Sequence, residues 1–268
     1  MRSAAKPLQA LVSQEAGASL SPRELAVACA SHNGEPAHVA MVGSMLAASD
    51  LDESALLCPP AWPSYLPEQR RLAAAGVTEP SAVYHNCSGK HAAMLRACVA
   101  NGWPLSYTDP EHPLQVRVRD LIGEVVGPGT TPTGVDGCGV PTFRVTVGGL
   151  AGAYVAVAND PRFAQVATAM HRYPALTSGS DRPEAAEAGA VFAAVKGGAE
   201  ACIGIALIGQ GAVAAKAWDG SFEAVNVVAI EAMNRLGLLS SYGRASLSPH
   251  SHPPVLGAGL AVGAMEPM

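Results

Sequence analysis

The sequence predicts an α+β (mixed α/β) domain, and three observations carry that reading. Capped helix signals crowd the first two thirds of the chain, two short apolar runs about a Gly209-Gln210-Gly211 turn come late, and the composition is that of a packed core. Of 268 residues 49% are apolar and only 15% charged, which excludes a disordered chain or a coiled coil and leaves enough to bury a core.

The elements follow in order. Ser3 to about Ala16 reads as a helix, with Pro7 tolerated in its first turn. Ser21-Pro22-Arg23-Glu24 opens the next: a serine N-cap, proline at N1 and glutamate at N3 make a capping box. That helix runs through Leu25, Val27 and Cys29 and ends near Ser31-His32-Asn33-Gly34. Pro36 to Ala48 is a third, and the proline-rich stretch Leu56 to Pro67 is irregular. Ser88 to Asn101 is stopped by Asn101-Gly102, and Pro113 to Val126 follows. Glycine and proline then make Gly127 to Pro141 a loop of defined shape, before a buried helix at Leu150 to Ala158. Ala201 to Ile208 and Ala212 to Trp218 are the strands of the late hairpin. Asp219-Gly220 turns the chain into a final helix, Phe222 to Leu236.

Several function classes drop out. The net charge is −5 and no Lys/Arg cluster occurs, so no nucleic-acid partner is expected. No signal peptide is recognisable, and the most apolar run, Ala201 to Ala217, is too interrupted by glycines, Gln210 and Lys216 to cross a membrane. Six dispersed cysteines read as reduced thiols in a cytoplasmic protein, with Cys29, Cys58, Cys98 and Cys202 in the core. Gly127-Pro128-Gly129 lacks the spacing of a nucleotide-binding loop.

Chemistry concentrates in four short elements. Ser3-Ala4-Ala5-Lys6 puts a hydroxyl and an amine on one helix face, and a lysine of depressed pKa can take a serine's proton. Such a pair arises about once by chance in a chain this rich in serine, and alone it equally describes a capped helix with a solvent lysine. Ser31-His32-Asn33 and Lys196-Gly197-Gly198 change the balance. Serine acyl-transferring enzymes of the β-lactamase type carry S-x-x-K, S-x-N and a K-T-G-like strand in this order. Ser3, Lys6, Ser31 and Lys196 are then the expected catalytic set. Asn33, Gly197 and His91 are expected at the substrate, and backbone N–H groups at the helix start can stabilise an oxyanion. In Cys87-Ser88-Gly89-Lys90-His91 and in Asp136-Gly137-Cys138-Gly139, two thiolates and a nitrogen donor suit zinc. With no C-x-x-C pair, buried structural cysteines stay open as the alternative, and the first string also reads as an anion-binding helix start with Lys90 on a carboxylate.

Together, Arg2-Ser3-Ala4-Ala5-Lys6-Pro7, Cys29-Ala30-Ser31-His32, Asn86-Cys87-Ser88-Gly89-Lys90-His91, Thr133-Gly134-Val135-Asp136-Gly137-Cys138 and Lys196-Gly197-Gly198-Ala199-Glu200 resemble the asparaginase II family, the rhizobial-type L-asparaginases. The resemblance implies hydrolysis of L-asparagine to L-aspartate and ammonia. It also implies a fold similar to serine β-lactamases and serine-dependent glutaminases, with a central antiparallel sheet flanked by helices. Ser3 with Lys6 and Ser31 with Lys196 look like the family's two serine–lysine tandems. Cys87, Lys90 and Cys138 look like its zinc ligands, Lys90 neutral, and a homodimer is implied as well. Family members carry a longer segment before the S-x-x-K, including two strands of the sheet. The expectation is therefore a single asparaginase II-type domain over residues 1–268, N-terminally truncated and lacking the first strands, with exposed sheet edges and Ser3 on a frayed terminus. Two alternatives stand beside it: a penicillin-interactive serine acyl hydrolase, and an inactive zinc-binding remnant.

Overall fold

A computed structural model describes residues 1–127 and 131–267 of the chain, so Pro128 and Gly129 of the glycine run lie outside the described residues. The N-terminal segment is a tight turn, Arg2–Ala5, leading into α1, Lys6–Ser13, which widens over Gln14–Ala18. The single helix expected from Ser3 is thus broken at its start, and Pro7 is the reason. It has no N–H to give the Ser3 carbonyl, so the Lys6 N–H closes a shorter turn onto Ser3 instead.

α2, Pro22–Ala28, begins with the expected reciprocal cap: Ser21 Oγ accepts from the Glu24 N–H at 3.4 Å, and Glu24 Oε2 accepts from the Ser21 N–H at 2.8 Å. α3 spans Pro36–Ala47, and α4, Leu66–Ala74, follows the irregular proline stretch. α5, Ser88–Asn101, stops where Gly102 turns left-handed at φ 62°. α6, Pro113–Val126, is capped by His112, whose Nδ1 accepts the Leu114 N–H at 3.1 Å. After α7, Val147–Asn159, come α8, Ala164–Arg172, the short α9, Pro174–Thr177, and α10, Pro183–Ala190. α11, Phe222–Arg235, is not the last element: Ser240 caps a further helix, α12, Ser241–Ser251.

The loop expected between Gly127 and Pro141 contains a strand. β1, Thr131–Val135, pairs antiparallel with β2, Pro141–Arg144. A two-stranded ribbon tolerates proline at its edges, which hides it from a reading that treats proline as a strand breaker. β3, Ala193–Gly198, β4, Cys202–Leu207, and β5, Gly211–Lys216, form an antiparallel sheet in that order, with the predicted hairpin as β4 and β5. β6, Pro254–Gly257, and β7, Leu260–Ala264, close the chain as an exposed apolar hairpin.

The three-stranded sheet divides two cores. α7 lies across one face, against β4 and β5, and α11 lies across the other. Alternation sorts the side chains: Ala194, Cys202 and Ala206 join the helical core of α1, α2, α5 and α7, whereas Val195, Ile203, Ile205 and Leu207 join the core beneath α11 and α12. Lys196 is two residues after Ala194, so it faces the helical side. Small residues on that side let helices approach closely. A Cβ on Gly204 would stand 2.3 Å from the Tyr154 ring, and the Tyr154 hydroxyl donates to the Ala4 carbonyl at 3.0 Å. The Arg2–Ala5 turn is thereby anchored rather than frayed: the Met1 carbonyl also accepts from the Cys202 thiol at 3.2 Å. All six cysteines are buried and unbridged.

Candidate active site

Three elements deliver Ser3, Ser31 and Lys196 of the predicted set to one cavity of about 260 Å³, lined also by Asn86, Glu184 and Gly197, while Lys6 is not among its lining residues. Ser3 comes from the turn ahead of α1. Ser31 comes from the segment after α2, held there by its own N–H on the Thr177 carbonyl at 3.2 Å. Lys196 comes from β3. Of the two glycines after it, Gly198 abuts backbone and Gly197 abuts the end of a side chain. A Cβ on Gly197 would lie 2.7 Å from Glu184 Oε1, and one on Gly198 would lie 2.8 Å from the Met1 carbonyl and 3.0 Å from the Ala4 nitrogen. The K-G-G element thus lets the Ser3 turn dock on the strand that carries the lysine.

The serine–lysine pairing differs from the expected tandems. Lys6 Nζ donates to Ser31 Oγ at 3.0 Å, to the Asn86 carbonyl at 3.4 Å and to the Ala30 carbonyl, with no hydrogen bond to Ser3 among the described residues. Lys196 Nζ donates to the Gly197 carbonyl at 2.7 Å. The Lys196 side chain is almost wholly buried, and burial, followed by the nearby Lys6 charge, lowers its pKa to about 7. An amine in that range is a competent base at neutral pH.

Asn33 and His91 do not line this cavity. Asn33 Nδ2 donates to Asp181 Oδ1 at 2.8 Å and to Glu35 Oε1 at 3.2 Å, tying the Ser31 segment to the chain ahead of α10. His91 is fully buried, shares a 2.8 Å hydrogen bond between Nδ1 and the Tyr107 hydroxyl, and is kept neutral chiefly by burial. His32 is neutral for the same reason. The Gly34 N–H donates to its Nδ1, so its Nε2 carries the proton and donates to Ser88 Oγ at 2.9 Å. This fastens the Ser31 segment to the start of α5.

Asn86 joins the cavity to a second cluster. Lys90 Nζ lies 2.9 Å from Cys138 Sγ, and Cys87, Lys90 and Cys138 are all buried. The Cys87 thiol is driven well below its ordinary pKa by a hydrogen bond from Cys138, helped by Lys6 and Lys90, against the opposing effect of burial. Burial works against the Lys90 charge too, but the two sulfurs outweigh it and hold the ammonium form. Arg2 Nε on Asp136 Oδ1, at 2.5 Å, links the Ser3 turn to the loop that carries Cys138. Among the described residues no group of three or more His, Cys, Asp or Glu side chains converges as metal ligands would.

A larger cavity, about 590 Å³, lies between Gln14, Leu20, Leu25, Gln165 and Arg172, and holds none of the expected residues. Arg182 and Glu184, which line the smaller one, were not anticipated. Their only sequence signal is an acidic residue just after Pro183, in the first turn of a helix. The family model for L-asparaginase II matches residues 1–267 of the chain. Among curated proteins none matches it.

Proposed function

The chain belongs to the L-asparaginase II family, and from that premise we propose that it hydrolyses L-asparagine to L-aspartate and ammonia through a serine-bound acyl intermediate. The observation that carries this reading is the convergence of Ser3, Ser31 and Lys196 on one cavity, with Lys6 hydrogen-bonded to Ser31. Ser3 Oγ adds to the side-chain amide carbon while the Lys196 amine takes its proton. The Ser31 hydroxyl, recharged from Lys6, gives a proton to the departing nitrogen, the C–N bond breaks, and ammonia leaves. Water then adds to the resulting β-aspartyl ester, its proton passes through Ser31 to the now neutral Lys6, and the Lys196 ammonium returns its proton to Ser3 Oγ as the C–O bond breaks to release L-aspartate. Purified protein tested for ammonia release from L-asparagine and L-glutamine, alongside Ser3→Ala, Ser31→Ala and Lys196→Ala, decides the matter. Activity that survives Ser31→Ala and Lys196→Ala overturns the assignment.

Zinc belongs to the same proposal. Two sulfurs and an amine suit a three-ligand site, but zinc would have to displace the proton that holds Lys90 as an ammonium, so that Cys87 and Cys138 bind as thiolates and Lys90 as a neutral donor. The ion would supply fixed positive charge beside Asn86 and hold the Cys138 loop, and no step of the reaction runs through it. Metal analysis is expected to find about one zinc per chain, lost in Cys87→Ser and in Cys138→Ser. Metal-free protein of unchanged thermal stability refutes it.

A further inference from the structure

The reaction above uses Ser3, Ser31 and Lys196. The same cavity is lined by a pair of opposite charges that the reaction does not use. Arg182 is the N-cap residue of α10 and Glu184 lies in its first turn, and both line the cavity with Ser3, Ser31 and Lys196. Glu184 is only 7% exposed. Glu187, one turn further on and fully buried, is pushed toward the neutral acid by burial and then by the charge of Glu184. Glu187 does not line the cavity, so Glu184 supplies the carboxyl group there. Arg182, its side chain 38% exposed, forms a long ion pair with Glu184, Nε to Oε2 3.7 Å and beyond hydrogen-bond range, and its Nε atom is buried with no hydrogen-bond partner. A buried guanidinium N–H without an acceptor is costly unless a ligand supplies one. Gly197 makes the arrangement possible, since any side chain there would run into Glu184.

An L-α-amino acid presents an ammonium and a carboxylate on one carbon, which is the complement of an adjacent carboxylate and guanidinium. We propose that Arg182 and Glu184 recognise that end of the substrate, the guanidinium donating to the α-carboxylate and Glu184 accepting from the α-ammonium. The inference rests on the asparaginase reading, in which the side-chain amide lies at Ser3. It makes the two residues the reason an amino acid, rather than a simple amide, is the substrate.

The test compares kcat/KM for L-asparagine, for succinamate, which lacks the α-amino group, and for 3-aminopropanamide, which lacks the α-carboxylate. Wild-type protein is expected to favour L-asparagine over each analogue by about 10- to 100-fold, the worth of one charge-assisted hydrogen bond. Glu184→Gln should lose that factor on L-asparagine and 3-aminopropanamide but not on succinamate. Arg182→Gln should lose it on L-asparagine and succinamate but not on 3-aminopropanamide. Equal losses on all three compounds overturn the proposal, as does a wild-type enzyme that accepts the analogues as well as L-asparagine. That second comparison decides the matter even where a variant does not fold. Wild-type protein that releases no ammonia from L-asparagine defeats the asparaginase reading instead, and calorimetry then judges this one. Preference for L-aspartate over succinate, abolished by Glu184→Gln, upholds it, and equal binding of the two overturns it.

Discussion

Lys196 occupies a position that few lysines tolerate, because its amine is buried on a strand with a second lysine nearby, and its acid–base behaviour follows from that. If it is the base, kcat/KM for L-asparagine should rise with pH through about 7. Lys196→Arg, which stays charged, should abolish that limb and cost about 10²–10⁴ in rate. Stability carries the same signature. Burial holds the folded-state value near 7, below the ordinary lysine value of 10.5, so the unfolded chain binds more protons between those limits. Stability should therefore rise with pH across that window, and urea unfolding of Lys196→Met should lose that slope. Tyr154 acts at one remove. Tyr154→Phe leaves the buried Ala4 carbonyl without its donor, which should cost about 1–3 kcal/mol. Because Ala4 adjoins Ser3, kcat should fall as well, and a kinetic comparison at matched folded fraction separates the two effects.

At the scale of elements, the sequence was most legible where local chemistry decides the outcome. Ser21 and Glu24 cap α2 as their spacing requires, and Ser21→Ala should cost about 1 kcal/mol in thermal unfolding while leaving activity unchanged. The bounds of α5 and α6 follow from Asn101-Gly102 and from Pro113 after His112. What escaped depends on pairing between segments rather than on either segment alone. β1 and β2 are recognisable only as a pair, since neither alternates clearly and both contain proline. The site was legible in its residue types but not in its pairings. Ser31 and Lys6 are 25 residues apart, and their hydrogen bond arises only because α2 returns the chain across α1. Asn33 looked like a cleft residue, but Asp181, far along the chain, claims its amide. Arg182 and Glu184 stand in no motif that spacing could have flagged. Gly198→Ala probes the element scale directly. Its Cβ would press on the Met1 carbonyl and the Cys202 sulfur, so activity should fall while far-UV circular dichroism stays unchanged.

For the whole molecule, the sheet matters most, because each strand of β3 and β4 sends alternate residues into opposite cores. Neither core can loosen without disturbing strands that the other shares. Met94→Ala in the helical core and Ile205→Ala in the core under α11 should each cost about 2–5 kcal/mol. Both variants should still melt in one transition, coincident by fluorescence and circular dichroism. Two separated transitions in either variant would show that the cores unfold independently. The candidate active site lies at this shared sheet, with Lys196 on its edge strand and Ser3 on the turn packed against it.

The six buried, unbridged cysteines turn the molecule into its own stopwatch. A thiol-reactive dye cannot reach any of them in the closed protein, so each labelling rate counts the openings of its own neighbourhood. Cys98 reports on α5, Cys202 on the strand beneath the Ser3 turn, and Cys138 on the loop beside Lys90. Adding L-aspartate should slow the Cys202 clock while leaving that of Cys98 untouched.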